Sequence, residues 1–188
     1  MIKCKCIESD IMSKVFIKEC NDLESINIDD TNINIKRKEY LNKLKGHNKI
    51  MSYLAWCYLK EIVSKEYNLD IDKLNLFYNE FGKPMFKEFC FNISHSENII
   101  AIAISQKEIG VDIQLIKKDT SLLAKKMNIE NNNEEVIKRF SAIEAYYKKI
   151  GTGINYSSLK EIKNCYQKVI TINDKQYVLS VDSEEKIV

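Results

Sequence analysis

Two acidic residues and a lysine stand out in this sequence because of their types and surroundings. Asp112 lies inside the apolar run Ile109–Ile113, and buried carboxylates are rare unless they are paired or bind a metal. Glu144 and Lys148 are four residues apart in a predicted helix, which puts them on one face of it. Only tertiary packing could bring Asp112 and Glu144 together, because 32 positions (144−112) separate them in the sequence.

Each of these residues also has a purely structural interpretation. A Glu and a Lys at this spacing commonly form an exposed helix pair worth about 0.3–0.5 kcal/mol. Asp112 could cap the end of its strand. A lone histidine in a strand, such as His95, is commonly a satisfied core residue. Spacing alone leaves these alternatives open.

Helical spacing of apolar residues marks two regions that must position these side chains. The first runs from Lys36 to Tyr67, and Gly46 is predicted to divide it into two helices. The second follows Leu115 and ends at Gly151, with a loop at Asn131-Asn132-Asn133. The sequence therefore predicts two pairs of helices.

Alternating or short continuous apolar runs predict strands before, between and after the helices. They lie at Ile2, Cys4 and Cys6, at Val15 and Ile17, at 89–93, 99–104 and 109–113 after the turn Phe81–Pro84, and in a hairpin around Asn173-Asp174-Lys175. This order predicts an α+β fold with two halves of similar plan, 1–106 and 107–188.

Composition limits the classes of protein that fit. The chain has 188 residues, 45% of them hydrophobic, and a net charge of only +2, which argues against disorder and against a nucleic-acid or membrane partner. Six cysteines without a Cys-x-x-Cys pair make a zinc site improbable. No signal-peptide core or membrane-length apolar run is present in the sequence, so a cytoplasmic protein with free thiols is expected.

Three short motifs, taken in order, resemble those of the surfactin-type 4'-phosphopantetheinyl transferases. Gly82-Lys83-Pro84 with Phe91–Ser96 is similar to the first, Gly110-Val111-Asp112 to the second, and Glu144-Ala145 with Lys148 to the third. The resemblance runs from about Lys36 to the C-terminus. It implies two pseudo-symmetric α+β halves with coenzyme A and Mg²⁺ between them, and transfer of phosphopantetheine to a serine of an apo acyl or peptidyl carrier protein, with release of 3',5'-adenosine diphosphate.

The resemblance also implies roles for individual residues. Asp112 and Glu144 are expected to bind Mg²⁺, which prefers oxygen ligands and substrate phosphates. Gln114 stands where the family usually has a third acidic ligand; an amide oxygen can still ligate but carries no charge. Lys148 is expected over the diphosphate, and Glu144, directly or through water, as the base for the serine hydroxyl.

Other residues are expected to bind coenzyme A. Ser94 and His95 match family positions that contact its phosphates, and Lys83 matches a residue beside the adenine, although a solvated turn lysine is equally compatible with the sequence. At least one of four basic residues is expected to reach the 3'-phosphate. These are Lys36, Arg37, Lys38 and Lys49. A basic run is also often a solvated face, and His47 is interpreted as a surface residue.

Two further departures from the family concern the third motif and the length of the chain. Phe140 and Ile143 stand where the family usually has Trp and Lys, so Ile143 is expected to weaken phosphate binding or carrier docking. The chain is short between Leu115 and Phe140, a region expected to face the carrier protein. The leading hypothesis is an active, monomeric transferase, and the alternative is a degenerate relative that binds coenzyme A or a carrier without transfer.

Overall fold

A computed structural model describes residues 13–29, 31, 33–154, 162 and 165–187 of the chain. The strands and helices of this part follow in chain order. They are β1 (Lys14–Glu19), α1 (Ile35–Asn42), α2 (Gly46–Tyr67), β2 (Phe77–Tyr78), β3 (Pro84–Met85), β4 (Cys90–Ser96), β5 (Ile99–Ser105), β6 (Ile109–Leu115), α3 (Ser121–Met127), α4 (Asn133–Ile150), β7 (Cys165–Ile172) and β8 (Lys175–Ser183).

Two three-stranded antiparallel sheets form the centre of the molecule. The first sheet has the order β1-β5-β4 and the second has the order β6-β8-β7. In the first sheet, β1 precedes α1 and α2 and pairs with β5, the second strand of the β4–β5 hairpin. In the second sheet, β6 precedes α3 and α4 and pairs with β8, the second strand of the β7–β8 hairpin. A two-stranded hairpin, β2-β3, accompanies the first sheet. This mixture of helices and antiparallel sheets agrees with the predicted α+β class.

Alternation along the strands explains how the sheets pack. In β5, Ile100, Ile102 and Ile104 pack with α2 in one core, whereas Ile99, Ala101 and Ala103 face the second sheet. There they meet apolar side chains of β6 and β8, which we call the shared core. Its members from the second sheet are Ile109, Val111, Ile113, Tyr177, Leu179 and Val181. The even-numbered residues of β6 therefore face the other way, toward α4.

Side chains rather than main-chain pairs join β4 to β6. Asn92 Oδ1 accepts from the Val111 amide at 3.0 Å, and Ser96 Oγ accepts from the Leu115 amide at 3.0 Å. Between them, Ser94 Oγ accepts from Ile113 N at 3.3 Å. Three polar residues at every second position of β4 thus provide acceptors for alternate amides of β6, and we call this set the β4–β6 ladder.

Most predicted elements are present, with shifted ends. Gly46 begins α2 instead of ending α1, because its left-handed φ of +53° turns the chain into the second helix. The predicted hairpin of β7 and β8 is confirmed, with left-handed Asn173 and Asp174 in its turn. The predicted strand at Ile2, Cys4 and Cys6 lies outside the described residues. In the described part of the chain, no helix is long and apolar enough to cross a bilayer.

Candidate active site

A close approach of α4 to β6 brings the two halves of the candidate site together. A Cβ atom added at Gly110 would lie 1.9 Å from the Ala145 carbonyl oxygen and 2.6 Å from the Lys149 amide nitrogen. Only glycine therefore allows the helix backbone to rest on the strand at this point. Glu144 and Lys148 directly precede the two helix residues in this contact, and Asp112 lies two positions after Gly110. The contact therefore sets Glu144 and Lys148 over the face of β6 that carries Asp112.

Asp112 is fully buried and shares one carboxylate oxygen among several donors. Its Oδ1 accepts from Lys148 Nζ at 2.7 Å and from Ser94 Oγ at 2.8 Å, and Gln114 Nε2 lies 3.5 Å away. Lys148 Nζ also donates to Ser94 Oγ at 2.8 Å. The other oxygen, Oδ2, is buried without a hydrogen-bond partner among the described residues. Asp112 thus has one saturated oxygen and one that is free to accept a ligand.

Glu144 is half-buried beside this cluster, one helical turn before Lys148. Burial raises the pKa of its carboxyl group, and the neighbouring negative charge of Asp112 raises the pKa further, while the Lys148 ammonium partly offsets both effects. Asp112 and Glu144, distant in the sequence, are therefore close enough in the fold to influence one another. This brings together the two carboxylates and the lysine that the sequence singled out.

His95 follows Ser94 on β4 and points into an open cleft. Burial lowers the pKa of its imidazole, as do the positive charges of Lys148 and His47, against the opposing effect of Asp112. The cleft measures about 680 Å³ and is lined by His47, Asn48, His95, Glu97, Asn98 and Lys175. His47 is exposed, as predicted, and its Nε2 lies 3.0 Å from the Glu97 carbonyl oxygen. Histidine and lysine side chains therefore line a cleft beside the Asp112 cluster.

The four basic residues of α1 and α2 have different surroundings. Arg37 is buried, lies between two aromatic rings, and donates to the Ser52 carbonyl and hydroxyl oxygens at 2.8 and 2.7 Å. Lys36 is exposed, and its ammonium reaches a main-chain carbonyl before β2 at 3.0 Å. Lys38 and Lys49 are half-buried. Arg37 thus belongs to the core around α2, and the structure does not bring it into the Asp112 cluster.

Lys83 lies at the C-terminal end of α4. Its Nζ donates to the Lys149 carbonyl oxygen at 2.7 Å, and Asn79 Nδ2 donates to the Gly151 carbonyl oxygen at 2.7 Å. Burial lowers the pKa of the Lys83 ammonium. Carbonyls at a helix end lack partners within the helix and carry a partial negative charge, so both donors cap α4. Lys83 is therefore not a solvated turn lysine in this structure.

The expectation for Ile143 needs correction. Ile143, in place of a lysine, was expected to weaken phosphate binding or carrier docking, but its side chain is only 2% exposed and packs with Ala124, Met127 and Val136. The reason is that α3 lies against this side of α4. A lysine here would place a charge in an apolar core. Phe140 packs at the margin of the same core, which agrees with the apolar role predicted for it.

The polar partners of the site were only partly visible in the sequence. Ser94 was expected to contact phosphates, yet it bonds Asp112 and Lys148. Asn92 and Ser96 were not predicted to act, although polar residues at alternate positions of an otherwise apolar strand are a signal that one face meets polar groups. Lys149 and Asp182, which form an ion pair under α4, were also missed, since nothing in their spacing links them.

Three known proteins that are similar to this chain in sequence are named 4'-phosphopantetheinyl transferases. No protein-family model matches the chain. The 4'-phosphopantetheinyl transferase gsp of Aneurinibacillus migulanus is 24% identical over 196 residues, covering 93% of this chain and 81% of that protein. A 4'-phosphopantetheinyl transferase of Bacillus subtilis and the transferase Sfp of strain 168 are 30% and 27% identical over 94 residues, which cover 48% of this chain and 41% of each relative.

The chain is a relative of the 4'-phosphopantetheinyl transferases. This confirms the family predicted from the three motifs, and with it the prediction of an enzyme of the phosphopantetheinyl transferase class. The relationship to gsp extends over nearly the whole chain.

Proposed function

We propose that this phosphopantetheinyl transferase relative moves the phosphopantetheine arm of coenzyme A to a serine of an apo acyl or peptidyl carrier protein. The serine oxygen forms a bond to the β-phosphorus, the bond from that phosphorus to the bridging oxygen breaks, and 3',5'-adenosine diphosphate leaves. The observation that carries the proposal is the meeting of Asp112, Glu144 and Lys148 beside the histidine-lined cleft. These would supply a metal ligand, a base and a cation in one place, the groups that suit transfer of a phosphoryl group.

The carboxylates fit a Mg²⁺ ion. Mg²⁺ is usually held by one or two carboxylates together with waters and substrate phosphates, and the buried, unpartnered Oδ2 of Asp112 with the nearby Glu144 supplies such a pair. Among the described residues there is no group of three or more His, Cys, Asp or Glu side chains suited to a metal, so phosphates and water must complete the shell. When bound, the ion would offset charge on the departing diphosphate.

Glu144 and Lys148 are proposed to handle protons and charge. A carboxyl group with a raised pKa holds a proton more readily near neutrality, which suits Glu144 as the acceptor of the serine proton, directly or through a water. Lys148 would turn from Asp112 to the diphosphate and stabilise its developing charge. Gln114, 3.5 Å from Asp112, is proposed as a neutral third ligand of the metal.

Coenzyme A is proposed to lie in the cleft at His95. Its phosphates would meet His95 at the edge nearest Lys148, and Ser94 would reach them by turning its hydroxyl proton away from Asp112. Lys36, Lys38 or Lys49 would reach the 3'-phosphate. Arg37 is a weaker candidate because its guanidinium is already bonded in the core. Lys83 is likewise engaged as a helix cap, so adenine binding by its side chain would require that cap to open.

Further parts of the proposal concern the molecule as a whole. We propose two pseudo-symmetric halves, 1–106 and 107–188, because the two sheets share one strand order. A monomer in the cytoplasm, without nucleic-acid or membrane partners, is proposed from the resemblance and the small net charge. The alternative, a relative that binds without transfer, is favoured only by Gln114, which brings no charge to the metal.

Incubation with coenzyme A, Mg²⁺ and several apo carrier proteins tests the proposal. We expect intact-protein mass spectrometry to show phosphopantetheine on one carrier serine, and Lys148→Met to lose most of this transfer. An unmodified carrier, alongside a working control transferase, would reject it. Coenzyme A binding without transfer, together with recovery of transfer in Gln114→Glu, would select the non-catalytic alternative. The other change toward the family pattern, Ile143→Lys, is not used, because it would place a charge in an apolar core.

A further inference from the structure

Two consecutive lysines of α4 bind two different carboxylates beneath the helix. Lys148 Nζ contacts Asp112 on β6, and Lys149 Nζ contacts Asp182 on β8 at 2.5 Å. The second pair is well protected from water, with side-chain exposures of 16% and 5%. The proposed reaction uses Lys148 and Asp112 but gives no task to Lys149 and Asp182.

The register of the second sheet places the two carboxylates close together. Asp182 lies opposite Gly110, and Ser180 lies opposite Asp112. Asp182 and Asp112 are therefore two positions apart on the same face, where α4 touches the sheet. Gly110, which the helix backbone touches, lies opposite Asp182 and two positions along β6 from Asp112.

The two pairs differ in what the proposed reaction requires of them. Lys148 and Asp112 must separate, because the lysine is needed at the diphosphate. When they separate, the Lys149–Asp182 bond still joins α4 to the sheet. Lys149 and Asp182 have no such demand on them, so their bond can persist throughout the reaction.

Helix geometry shows why the remaining pair matters. Successive residues of a helix are about 100° apart around its axis, so fixing Lys149 also fixes the direction of Lys148. With a radius of about 5–6 Å including side chains, rotation of α4 by about 20° would move a side-chain tip by about 2 Å. Displacements of about 1 Å in a catalytic group can lower a rate by about 10²-fold.

We propose that Lys149 and Asp182 are a positioning pair, which holds α4 in the orientation that presents Glu144 and Lys148 to the reacting groups. This inference rests on the proposed transferase function and adds to it two residues that do not touch the substrate. Lys83 and Asn79 assist by fixing the end of the same helix.

Three variants separate positioning from stability. Lys149→Met and Asp182→Asn each leave one buried charge unpaired, so both should unfold at lower temperature than the unmodified protein. The double variant has no unpaired charge and should regain most of the lost stability. Its turnover should nevertheless stay at least tenfold low, with KM for coenzyme A within about threefold, because the orientation of α4 is no longer fixed.

A lysine near the opposite end of the same helix provides the control. Lys138 pairs with Glu134 and Glu135 near the start of α4, and Lys138→Met should leave turnover within twofold of the unmodified protein. All assays are run well below the melting temperature of the least stable variant. A stable double variant with unchanged turnover overturns the positioning role. If that variant does not fold, unchanged turnover in a folded Lys149→Met or Asp182→Asn variant overturns it equally.

Transfer by the unmodified protein shows whether a negative result rejects only the positioning pair or the proposed function as well. If it transfers phosphopantetheine and the double variant does so equally well, only the positioning pair is rejected. If the unmodified protein transfers nothing to any carrier, the proposed function is rejected and the positioning role falls with it.

Discussion

The Ser94 hydroxyl group serves three partners at the centre of the candidate site. It donates its single proton to Asp112 Oδ1 and accepts from Lys148 Nζ and from the Ile113 amide. A hydroxyl has one donor and two acceptor sites, so this arrangement uses all of them. The residue therefore fixes the carboxylate that is proposed to meet the metal and also ties β4 to β6.

Ser94→Ala should damage both functions of the hydroxyl. Loss of an acceptor for a buried amide costs about 1–3 kcal/mol of unfolding free energy, and Asp112 loses a donor that orients it, so transfer should fall about tenfold or more. Ser96→Ala is the matched control, because Ser96 accepts from the Leu115 amide on the same ladder without touching Asp112. Denaturant unfolding and carrier assays on both variants provide the measurement. Equal transfer by the two would contradict the role of Ser94.

Glu144→Gln should stabilise the protein at high pH while removing transfer. Burial raises the pKa of Glu144 above its ordinary value of 4.5, so the folded chain holds this proton more tightly than the unfolded chain. The stability that Glu144 provides is therefore complete at low pH and declines as the pH rises from 4.5 through the folded-state pKa.

Thermal unfolding without divalent cations measures this effect. The Glu144→Gln variant should melt above the unmodified protein near pH 8, and the difference should shrink toward about pH 4, where both side chains are neutral. An unmodified protein that is the more stable of the two near pH 8 would show that burial does not penalise the ionised carboxylate.

At the scale of elements, Gly110 allows α4 to lie directly on β6. Gly110→Ala would force the helix backbone away from the strand, since main-chain atoms cannot yield as a flexible side chain would. We expect a loss of about 1–3 kcal/mol of unfolding free energy, typical of overpacking, and a large loss of transfer. Gly153→Ala is the control, because its added Cβ would meet nothing within 4 Å. Circular dichroism melts and carrier assays compare the two, and a fully active Gly110→Ala variant would contradict the close-contact explanation.

The elements themselves were largely predictable, whereas the contacts between them were not. Apolar spacing located α2, α4 and the hairpin of β7 and β8, because that spacing records which face of each element is buried. The burial of Ile143 and of Arg37 could not be read in the same way, since each depends on which neighbouring element covers it. The motifs pointed to Asp112, Glu144 and Lys148, but the pairing of Lys149 with Asp182 depends on the register of β8, which the sequence does not display.

For the molecule as a whole, the shared core links the stability of the two sheets. Its residues come from β5 of the first sheet and from β6 and β8 of the second. Neither sheet can lose this contact without exposing apolar surface of the other. The chain should therefore unfold in a single cooperative transition.

Leu179→Ala tests this cooperativity from a distance. Leu179 belongs to the shared core in β8, and its truncation should cost about 2–5 kcal/mol. Trp56, the only tryptophan of the chain, is buried in the other core with α2, so its fluorescence reports on the first sheet. The denaturant midpoint of Trp56 fluorescence should fall as much as the midpoint of far-ultraviolet circular dichroism. A fluorescence midpoint that does not move would mean that the two sheets unfold independently.

The bond between Lys148 and Asp112 has a thermodynamic consequence for the proposed substrates. Lys148 is bonded to Oδ1 of the carboxylate whose Oδ2 would meet Mg²⁺. A metal at Oδ2 would weaken the attraction of Asp112 for Lys148, and a phosphate that draws Lys148 away would leave Asp112 a stronger metal ligand. Binding should thus be mutually reinforcing, and coenzyme A affinity should rise about fivefold or more when Mg²⁺ is added. Titration calorimetry can measure this factor, which should shrink in Lys148→Met, where no such bond has to open.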